Sequence, residues 1–141
     1  MPDSRSTAET FSELHSHRRV DVVRFDTHDV DRAQRYDAWR DNMGVLFDVS
    51  TPDDTQPSVR QPASISAIDL GETVFARARA ESQVFSRTRQ RIAGEELGLI
   101  LVQYFPKGGG TVCGRDRLVA GDMQIIDTER PYELAATDMK T

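Results

Sequence analysis

The chain has 141 residues and a mass of 15.8 kDa, which suits one domain with a single core. Its longest apolar run, residues 99–102, is far too short to cross a bilayer, so a transmembrane protein is excluded. With 18 basic and 23 acidic residues, the formal net charge of −5 excludes a stand-alone nucleic-acid binder. The single cysteine, Cys113, excludes an intramolecular disulfide. No secretory signal is visible, and we expect a cytoplasmic protein.

The amino-terminal part differs in composition from the rest of the chain. Residues 1–28 are polar and lack sustained periodicity, which is typical of a flexible arm. Within the arm, residues 18–25 hold enough valine and phenylalanine for a short edge strand. We expect residues 29–141 to form one domain.

An amphipathic helix is predicted over residues 31–43, because apolar residues recur three to four positions apart on one face. Asp29 is the expected N-cap, and Gly44 is expected to end the helix in the left-handed conformation. Tyr36 and Trp39 are expected to anchor this helix to the core.

Beyond Gly44, short apolar runs are separated by glycine, proline and aspartate. The predicted strands are residues 45–49, 64–69, 73–80, 83–88, 97–105, 111–113, 118–119 and 123–128. Residues 51–62, which contain three prolines, are predicted to be a long connection. Such strands without intervening helices favour an antiparallel sandwich or barrel, so the predicted fold class is mainly β. Residues 99–102 are apolar on both faces, and we expect the helix to cover the face that points away from the barrel interior.

Arginines near two predicted strands are candidate ligand-binding residues. Arg77 and Arg79 share a strand face, and Arg87 and Arg89 are predicted to share another. A guanidinium inside the barrel binds a carboxylate through two parallel hydrogen bonds, which makes Arg77, Arg87 and Arg89 candidates. The alternative is an outward face that pairs with Asp or Glu. A separate hypothesis pairs Arg87 with Asp127 to lock a corner of the barrel.

Two polar residues interrupt the apolar strand at residues 97–105. Gln103 and Tyr104 point to opposite faces, so one of them is expected to face the cavity and to hydrogen-bond a ligand. The alternation alone leaves open which of the two does so.

Other motifs have plainer structural interpretations. Gly108–Gly110 is not followed by a Lys-Ser/Thr pair, so we interpret it as a strand connection and not as a phosphate cradle. Cys113 has no later histidine and is expected to be a buried apolar residue. His15 and His17 lack a third metal ligand at a convincing spacing, and residues 95–96 are expected to form a solvated turn. We therefore predict no catalytic residues, no metal site and no cofactor.

The segment 118–134 carries the sharpest signature, in which a Gly121-Asp122 turn leads into a strand and then a proline corner. Gly-Asp followed by Asp127, Thr128, Arg130, Pro131 and Tyr132 resembles the amino-terminal, AraC-binding-like domain of AraC/XylS-type transcription regulators. The upstream pieces that agree are DAWR at residues 37–40, SRTR at 86–89, QRIAGEE at 90–96 and the apolar strand at 99–104.

The resemblance covers residues 31–134 and implies a cupin-like jelly-roll barrel with an amino-terminal helix. It further implies that the barrel binds a small organic effector and helps to form a dimer, which we expect to be a homodimer. Tyr132 stands where a metal-binding cupin has a histidine, and it joins the candidate ligand residues. In the family, a carboxy-terminal pair of helix-turn-helix units reads DNA. This sequence holds no such units, and we expect the barrel to lack its last strand partner.

The predicted function is therefore the effector-sensing and dimerisation domain of an AraC/XylS-type regulator, with no enzymatic activity. Two alternatives stay open. One is a metal-dependent cupin enzyme, which stoichiometric metal in the purified protein would support. The other is a truncated interaction module that forms mixed dimers with a full-length regulator, which co-purification without small-molecule binding would support.

Overall fold

The computed structural model describes residues 21–51 and 63–141. Most of the predicted arm, with His15 and His17, lies outside the described residues, and so does nearly all of the predicted connection at 51–62. Within the described part, no helix is long and apolar enough to span a membrane.

Two short helices and eleven strands make up the described residues. The helices are α1 (Arg35–Met43) and α2 (Arg89–Ala93). The strands are β1 (Val22–Asp26), β2 (Asp48–Ser50), β3 (Ser64–Asp69), β4 (Val74–Ala80), β5 (Gln83–Arg87), β6 (Ile100–Tyr104), β7 (Gly110–Val112), β8 (Asp116–Leu118), β9 (Met123–Asp127), β10 (Tyr132–Ala136) and β11 (Met139–Lys140). Two 3₁₀ turns, Thr27–Asp29 and Arg32–Gln34, precede α1.

Antiparallel pairing divides the strands into three sheets. The first has the order β1-β3-β4-β11, the second has the order β2-β5-β10-β7-β8, and the third consists of β6 and β9. The mainly β fold class is confirmed. A closed barrel is not formed by the described strands, because the pairing stops at the edges of each sheet. Evenly spaced short strands predict antiparallel pairing but carry no signal for where that pairing ends.

The core is one apolar cluster that joins α1 to strands of all three sheets. Phe105 and Leu134 are fully buried, and Trp39 stacks on Phe25 with ring centroids 6.3 Å apart. Trp39 Nε1 also donates to Gln83 Oε1 at 2.8 Å, so its buried polar atom is satisfied. The expected anchoring of the helix by Trp39 is confirmed. The buried apolar residues are Trp39, Met43, Phe47, Val49, Ala63, Ala80, Phe85, Phe105, Ile126, Leu134, Ala136 and Met139.

Helix α1 begins later than the sequence predicts. Residues 32–34 form a 3₁₀ turn, and regular α geometry starts at Arg35. Asp29 lies inside the preceding 3₁₀ turn, whose cap is Asp26, since the Asp26 side chain accepts from the His28 backbone N–H at 2.8 Å. The predicted N-cap is therefore wrong, because α1 begins at Arg35 and its N-cap position is Gln34, whose side chain makes no capping hydrogen bond.

The end of α1 also differs from the prediction. Gly44 has a φ of −58°, in the right-handed region, so it does not act as a left-handed stop. The Met43 carbonyl instead accepts from the backbone N–H groups of Leu46 and Phe47, both at 2.9 Å. These bonds wind the chain through one further turn before β2.

Strand β6 has one inward and one outward face, and α1 does not cover the outward one. Ile100 and Val102 are exposed, whereas Leu101 and Gln103 are half-buried. The helix packs on the inner side, where Trp39 and Gln103 line the same cavity. The expectation that residues 99–102 are covered on both faces is therefore wrong.

The glycine run at residues 108–110 allows a close approach of backbones. A Cβ at Gly109 would lie 2.2 Å from the Leu118 carbonyl oxygen, and one at Gly110 would lie 2.3 Å from the Ala135 carbonyl oxygen. Only glycine fits between the two neighbouring strands at these positions. The run is thus a strand connection, as the sequence predicts.

The Gly121-Asp122 turn has the predicted chemistry. Gly121 adopts a φ of +96° and donates its backbone N–H to the Phe105 carbonyl at 2.7 Å. The Asp122 side chain accepts from the Val119 backbone N–H at 2.8 Å. The turn therefore fixes the start of β9 against the end of β6.

Candidate ligand-binding site

A cavity lies between α1 and strands from all three sheets. Its empty space is about 330 Å³ when the solvent at its open mouth is counted, and about 30 Å³ of that space can hold the centre of a water molecule. Its walls are uncharged, and they are apolar except at one end. The lining residues are Trp39, Met43, Phe47, Ala78, Phe85, Gln103, Tyr132, Leu134 and Met139.

The alternation of the strands explains why these side chains converge. On β10, Leu134 and Ala136 are buried and Glu133 and Ala135 are exposed, so the strand presents one apolar face to the cavity side. Strand β6 has the same pattern, with Gln103 inside and its two neighbours outside. The cavity is thus the meeting point of inward strand faces.

The polar end of the cavity consists of Gln103, Gln124 and Tyr132. Gln124 Nε2 donates to Gln103 Oε1 at 2.7 Å and to the Tyr132 hydroxyl at 2.8 Å. The Tyr132 hydroxyl donates to Gln124 Oε1 at 3.0 Å. Three residues from β6, β9 and β10 therefore hold each other in a fixed orientation at one wall.

Burial keeps Tyr132 neutral. Loss of solvent around the phenol raises the pKa of Tyr132 from 10.0 to about 12, although its hydrogen bond with Gln124 acts in the opposite direction. The ring packs on Phe47 with centroids 5.9 Å apart. Tyr132 is thus an uncharged hydroxyl on an aromatic wall.

A second polar cluster lies where β5 leads into α2, and we call it the arginine corner. Its centre is Arg87, which is 2% exposed. Arg87 Nε donates to the Thr128 carbonyl at 2.9 Å, Nη1 donates to the Leu46 carbonyl, and Nη2 donates to Glu95 Oε2 at 2.8 Å. Each of the three guanidinium nitrogens therefore donates to an acceptor of the chain itself.

Arg91 completes the arginine corner. Its Nε lies 2.7 Å from Glu95 Oε1, its Nη1 lies 2.8 Å from Asp48 Oδ1, and its Nη2 donates to the Gly44 carbonyl. Glu95 thus bridges Arg87 and Arg91 through its two oxygens. The Arg87 hydrogen bond is the main cause that lowers the pKa of Glu95 below its ordinary value of 4.5, with Arg91 adding to it against desolvation.

The arginine corner differs from the sequence hypothesis in its partner. Arg87 pairs with Glu95, not with Asp127, whose carboxylate lies 3.3 Å from Arg130. The expected solvated turn at residues 95–96 is likewise wrong for Glu95, because α2 brings this carboxylate back onto β5.

The structure distributes the six predicted ligand residues over five places. Gln103 and Tyr132 line the cavity. Tyr104 lies on the outward face of β6, and Arg87 lies in the arginine corner. Arg77 is exposed on β4. The sixth residue, Arg89, is exposed at the start of α2 and so shares no strand face with Arg87.

Several cavity residues were not among the predicted ligand residues. The apolar ones, such as Phe47 and Phe85, look like any core residue in sequence. Gln124 could be recognised from the sequence, because it is a single amide between apolar neighbours on β9. It also lies two residues from Ile126, so the two side chains share the inward face. The same signal identifies Gln103.

The outer face of the β6–β9 sheet is apolar and exposed. Its five side chains are each between 50% and 72% exposed, and cross-strand pairing joins Val102 to Ile125 and Tyr104 to Met123. The five residues are Ile100, Val102, Tyr104, Met123 and Ile125.

Within the described residues, no group of three His, Cys, Asp or Glu side chains is placed to hold a metal ion. His28 is exposed beside Asp26. Cys113 is exposed at a φ of +50°, in the turn between β7 and β8. Its expected burial is therefore wrong, because the tight turn points it away from the core.

The three sheets, α1 and the open cavity match the fold of a solved AraC-like protein, as the resemblance predicts. The crystal structure of the AraC-like transcriptional activator CuxR matches this chain with a TM-score of 0.74 and 18% sequence identity. The match covers 85% of this chain and 45% of CuxR, so the chain spans less than half of that protein. No family model matches the sequence, and no curated protein matches it.

Proposed function

We propose that this chain is the effector-sensing and dimerisation domain of an AraC/XylS-type transcription regulator that works in the cytoplasm. A small organic molecule binds in the cavity and shifts the population between two arrangements of the protomers. DNA is contacted only by a separate helix-turn-helix region. The chain itself performs no chemistry.

The cavity is the observation that carries this proposal. It is apolar over most of its wall, has polar groups at one end only, and lies where helix and sheets meet, which is the usual form of a small-molecule site. Trp39, Phe47 and Phe85 provide flat apolar surfaces around a ring-sized ligand.

The lining favours an uncharged effector over a carboxylate. None of the nine lining residues is charged, and the Arg87 guanidinium is already bound by three acceptors. An anion that entered this cavity would lose its hydration without gaining a cation. Uncharged molecules enter with a much smaller free-energy penalty for lost hydration.

Ligand screening tests the sensing role. We expect uncharged ring compounds to raise the thermal unfolding temperature, because a ligand that binds only the folded chain stabilises it. The variant Ala78→Leu narrows the cavity and should abolish this stabilisation. Ala76→Leu is the matched control, since Ala76 is exposed on the same strand and does not line the cavity. Equal stabilisation of both variants would contradict the proposed site.

The outer face of the β6–β9 sheet supports pairing with a second copy of this chain. Its five apolar side chains expose on the order of 600 Å², at the upper end of what a monomeric protein shows. Symmetric pairing of two such faces buries on the order of 1,200 Å², where specific interfaces begin. Asp127 lies at one end of this face, across from Ile100, and its carboxylate pairs with Arg130 at 3.3 Å, which offsets its repulsion of a second copy.

Sedimentation analysis tests the dimer. We expect Val102→Asp to shift the protein from dimer to monomer, because a carboxylate in an apolar interface is costly to desolvate. Val74→Asp is the matched control, since Val74 on β4 is 62% exposed and Val102 is 64% exposed. A dimer that survives Val102→Asp contradicts this interface.

A further inference from the structure

The polar end of the cavity leaves one hydrogen-bond donor without a partner. Gln103 Oε1 accepts from Gln124, whereas Gln103 Nε2 has no acceptor among the described residues. Gln103 itself lines the cavity. A ligand that enters the cavity would therefore meet these unpaired N–H groups.

Gln124 and Tyr132 hold the Gln103 side chain in place. Gln124 bonds to both Gln103 and Tyr132, and the Tyr132 hydroxyl returns a bond to Gln124. In the structure, Gln124 occupies the acceptor of the Gln103 amide, and the donor of that amide is left over. A donor held in advance loses little freedom when it binds.

We propose that Gln103 is the specificity-determining residue of the cavity and that it selects an uncharged ring compound carrying a hydrogen-bond acceptor, such as a ketone or ester carbonyl. This inference rests on the proposed function, because it names the class of effector for the same cavity. The ring lies among the aromatic side chains, and its acceptor oxygen accepts from Gln103 Nε2. Gln124 and Tyr132 are positioning residues.

The chemistry of the wall excludes two other classes. A carboxylate would meet one amide donor and no cation, and an ammonium would meet no carboxylate on the lining. Each would be desolvated without compensation. A purely apolar ring fits the walls but gives the Gln103 donor no acceptor.

Three ring compounds of similar size separate these classes. They are acetophenone, which has a carbonyl acceptor, cumene, which has the same shape without it, and benzoate, which is charged. Their dissociation constants are measured by NMR titration, which follows the indole N–H of Trp39 and the side-chain amide of Gln103. Trp39 is the single tryptophan of the chain, so its indole signal needs no further assignment. We expect acetophenone to bind roughly three- to tenfold more tightly than cumene, and benzoate to bind most weakly.

The variant Gln103→Leu should bring the acetophenone-to-cumene ratio to about one while cumene binding persists. Gln34→Leu is the control, since Gln34 is exposed and does not line the cavity. The wild-type comparison decides the question even if Gln103→Leu does not fold.

The outcomes distinguish this inference from the proposed function. Equal wild-type affinities for acetophenone and cumene, or tightest binding of benzoate, overturn the inference and leave the cavity as a ligand site. Binding of none of the three probes contradicts the proposed function and the inference together. An acetophenone preference that Gln103→Leu removes supports the inference.

Discussion

The arginine corner and the polar end of the cavity are both buried polar networks, but they differ in what they leave unpaired. In the corner, Arg87 donates from Nε, Nη1 and Nη2 to three acceptors, so every nitrogen of its guanidinium has a partner inside the chain. In the cavity, Gln103 uses its acceptor and leaves its donor facing open space. We expect the corner to stabilise the fold, whereas the polar end has a donor left over for the ligand that we propose.

The two networks also differ in charge. The corner needs an ion pair, because a guanidinium this deeply buried would be unstable without a carboxylate and carbonyl acceptors. The polar end contains only neutral groups, which water or a ligand oxygen satisfies equally well. Damage to the corner should therefore cost stability, and damage to the polar end should mainly change binding.

The largest expected effect is the loss of Arg87. The variant Arg87→Met removes the guanidinium, which takes this donor from two backbone carbonyls and leaves Glu95 with Arg91 alone, so the free energy of unfolding should fall by about 3 kcal/mol or more. Arg89→Met, at an exposed position, should change it by less than about 0.5 kcal/mol. Both values come from chemical denaturation. Similar losses of unfolding free energy in both variants would show that the arginine corner does not stabilise the fold.

A smaller effect is expected at the polar end. Tyr132→Phe removes one hydroxyl from a neutral network and should cost about 1 kcal/mol of unfolding free energy. It should also weaken the preference for acetophenone, because Gln124 is held less firmly. Tyr104→Phe on the outer face is the matched control and should leave both quantities unchanged. An effect of Tyr104→Phe as large as that of Tyr132→Phe would remove the distinction between the two faces of β6.

Acid should weaken the arginine corner before the polar end. The pKa of Glu95 is lowered in the folded state, so its contribution is present above the ordinary value of 4.5 and is lost as pH falls through the folded-state pKa. Unfolding free energies measured across this acid range should fall less steeply in Glu95→Gln than in the wild type. Glu96→Gln is the neighbouring control and should keep the wild-type slope. Identical slopes in all three proteins would mean that Glu95 is not bound as described.

Alkali should produce the smallest effect, and at the polar end. Because the pKa of Tyr132 is raised to about 12, the unfolded chain loses this proton first, and stability falls as pH rises from about 10 toward 12. Tyr132→Phe should lack this part of the alkaline loss. The ultraviolet absorbance of tyrosinate follows the same titration directly. Ionisation of Tyr132 near pH 10 in the folded protein would contradict its burial.

Local patterns in the sequence predict much of the fold. The three-to-four periodicity places α1 to within four residues of its start, and the strand at residues 64–69 matches β3 at both ends. These features depend on neighbours in the chain, so a single sequence carries them. The limits of each sheet depend on contacts between distant strands, which is why the closed barrel was not a correct expectation.

The short helix α2 shows where local reasoning fails. With five residues, it is too short to display a helical period, and its cap is Thr88, which accepts from the Arg91 backbone N–H at 3.2 Å. An extended chain would carry Glu95 away from Arg87, and α2 instead turns it back. A reading of the sequence that misses α2 therefore favours Asp127 as the partner of Arg87.

The candidate site was predicted in part. Alternation shows that Gln103 and Tyr104 face opposite ways, but only the pairing of β6 with β9 and the position of α1 decide which one meets the cavity. The arginines were named from charge alone, and charge does not report which strand face is buried. Gln124 could have been found as a lone amide in an apolar strand.

A crystal structure of the chain with acetophenone tests the central claim most directly. The account predicts the ring in the cavity among Trp39, Phe47 and Phe85, with its carbonyl oxygen about 3 Å from Gln103 Nε2. Acetophenone bound only on the outer face of the β6–β9 sheet, or seated in the cavity with its oxygen turned away from Gln103, would contradict it.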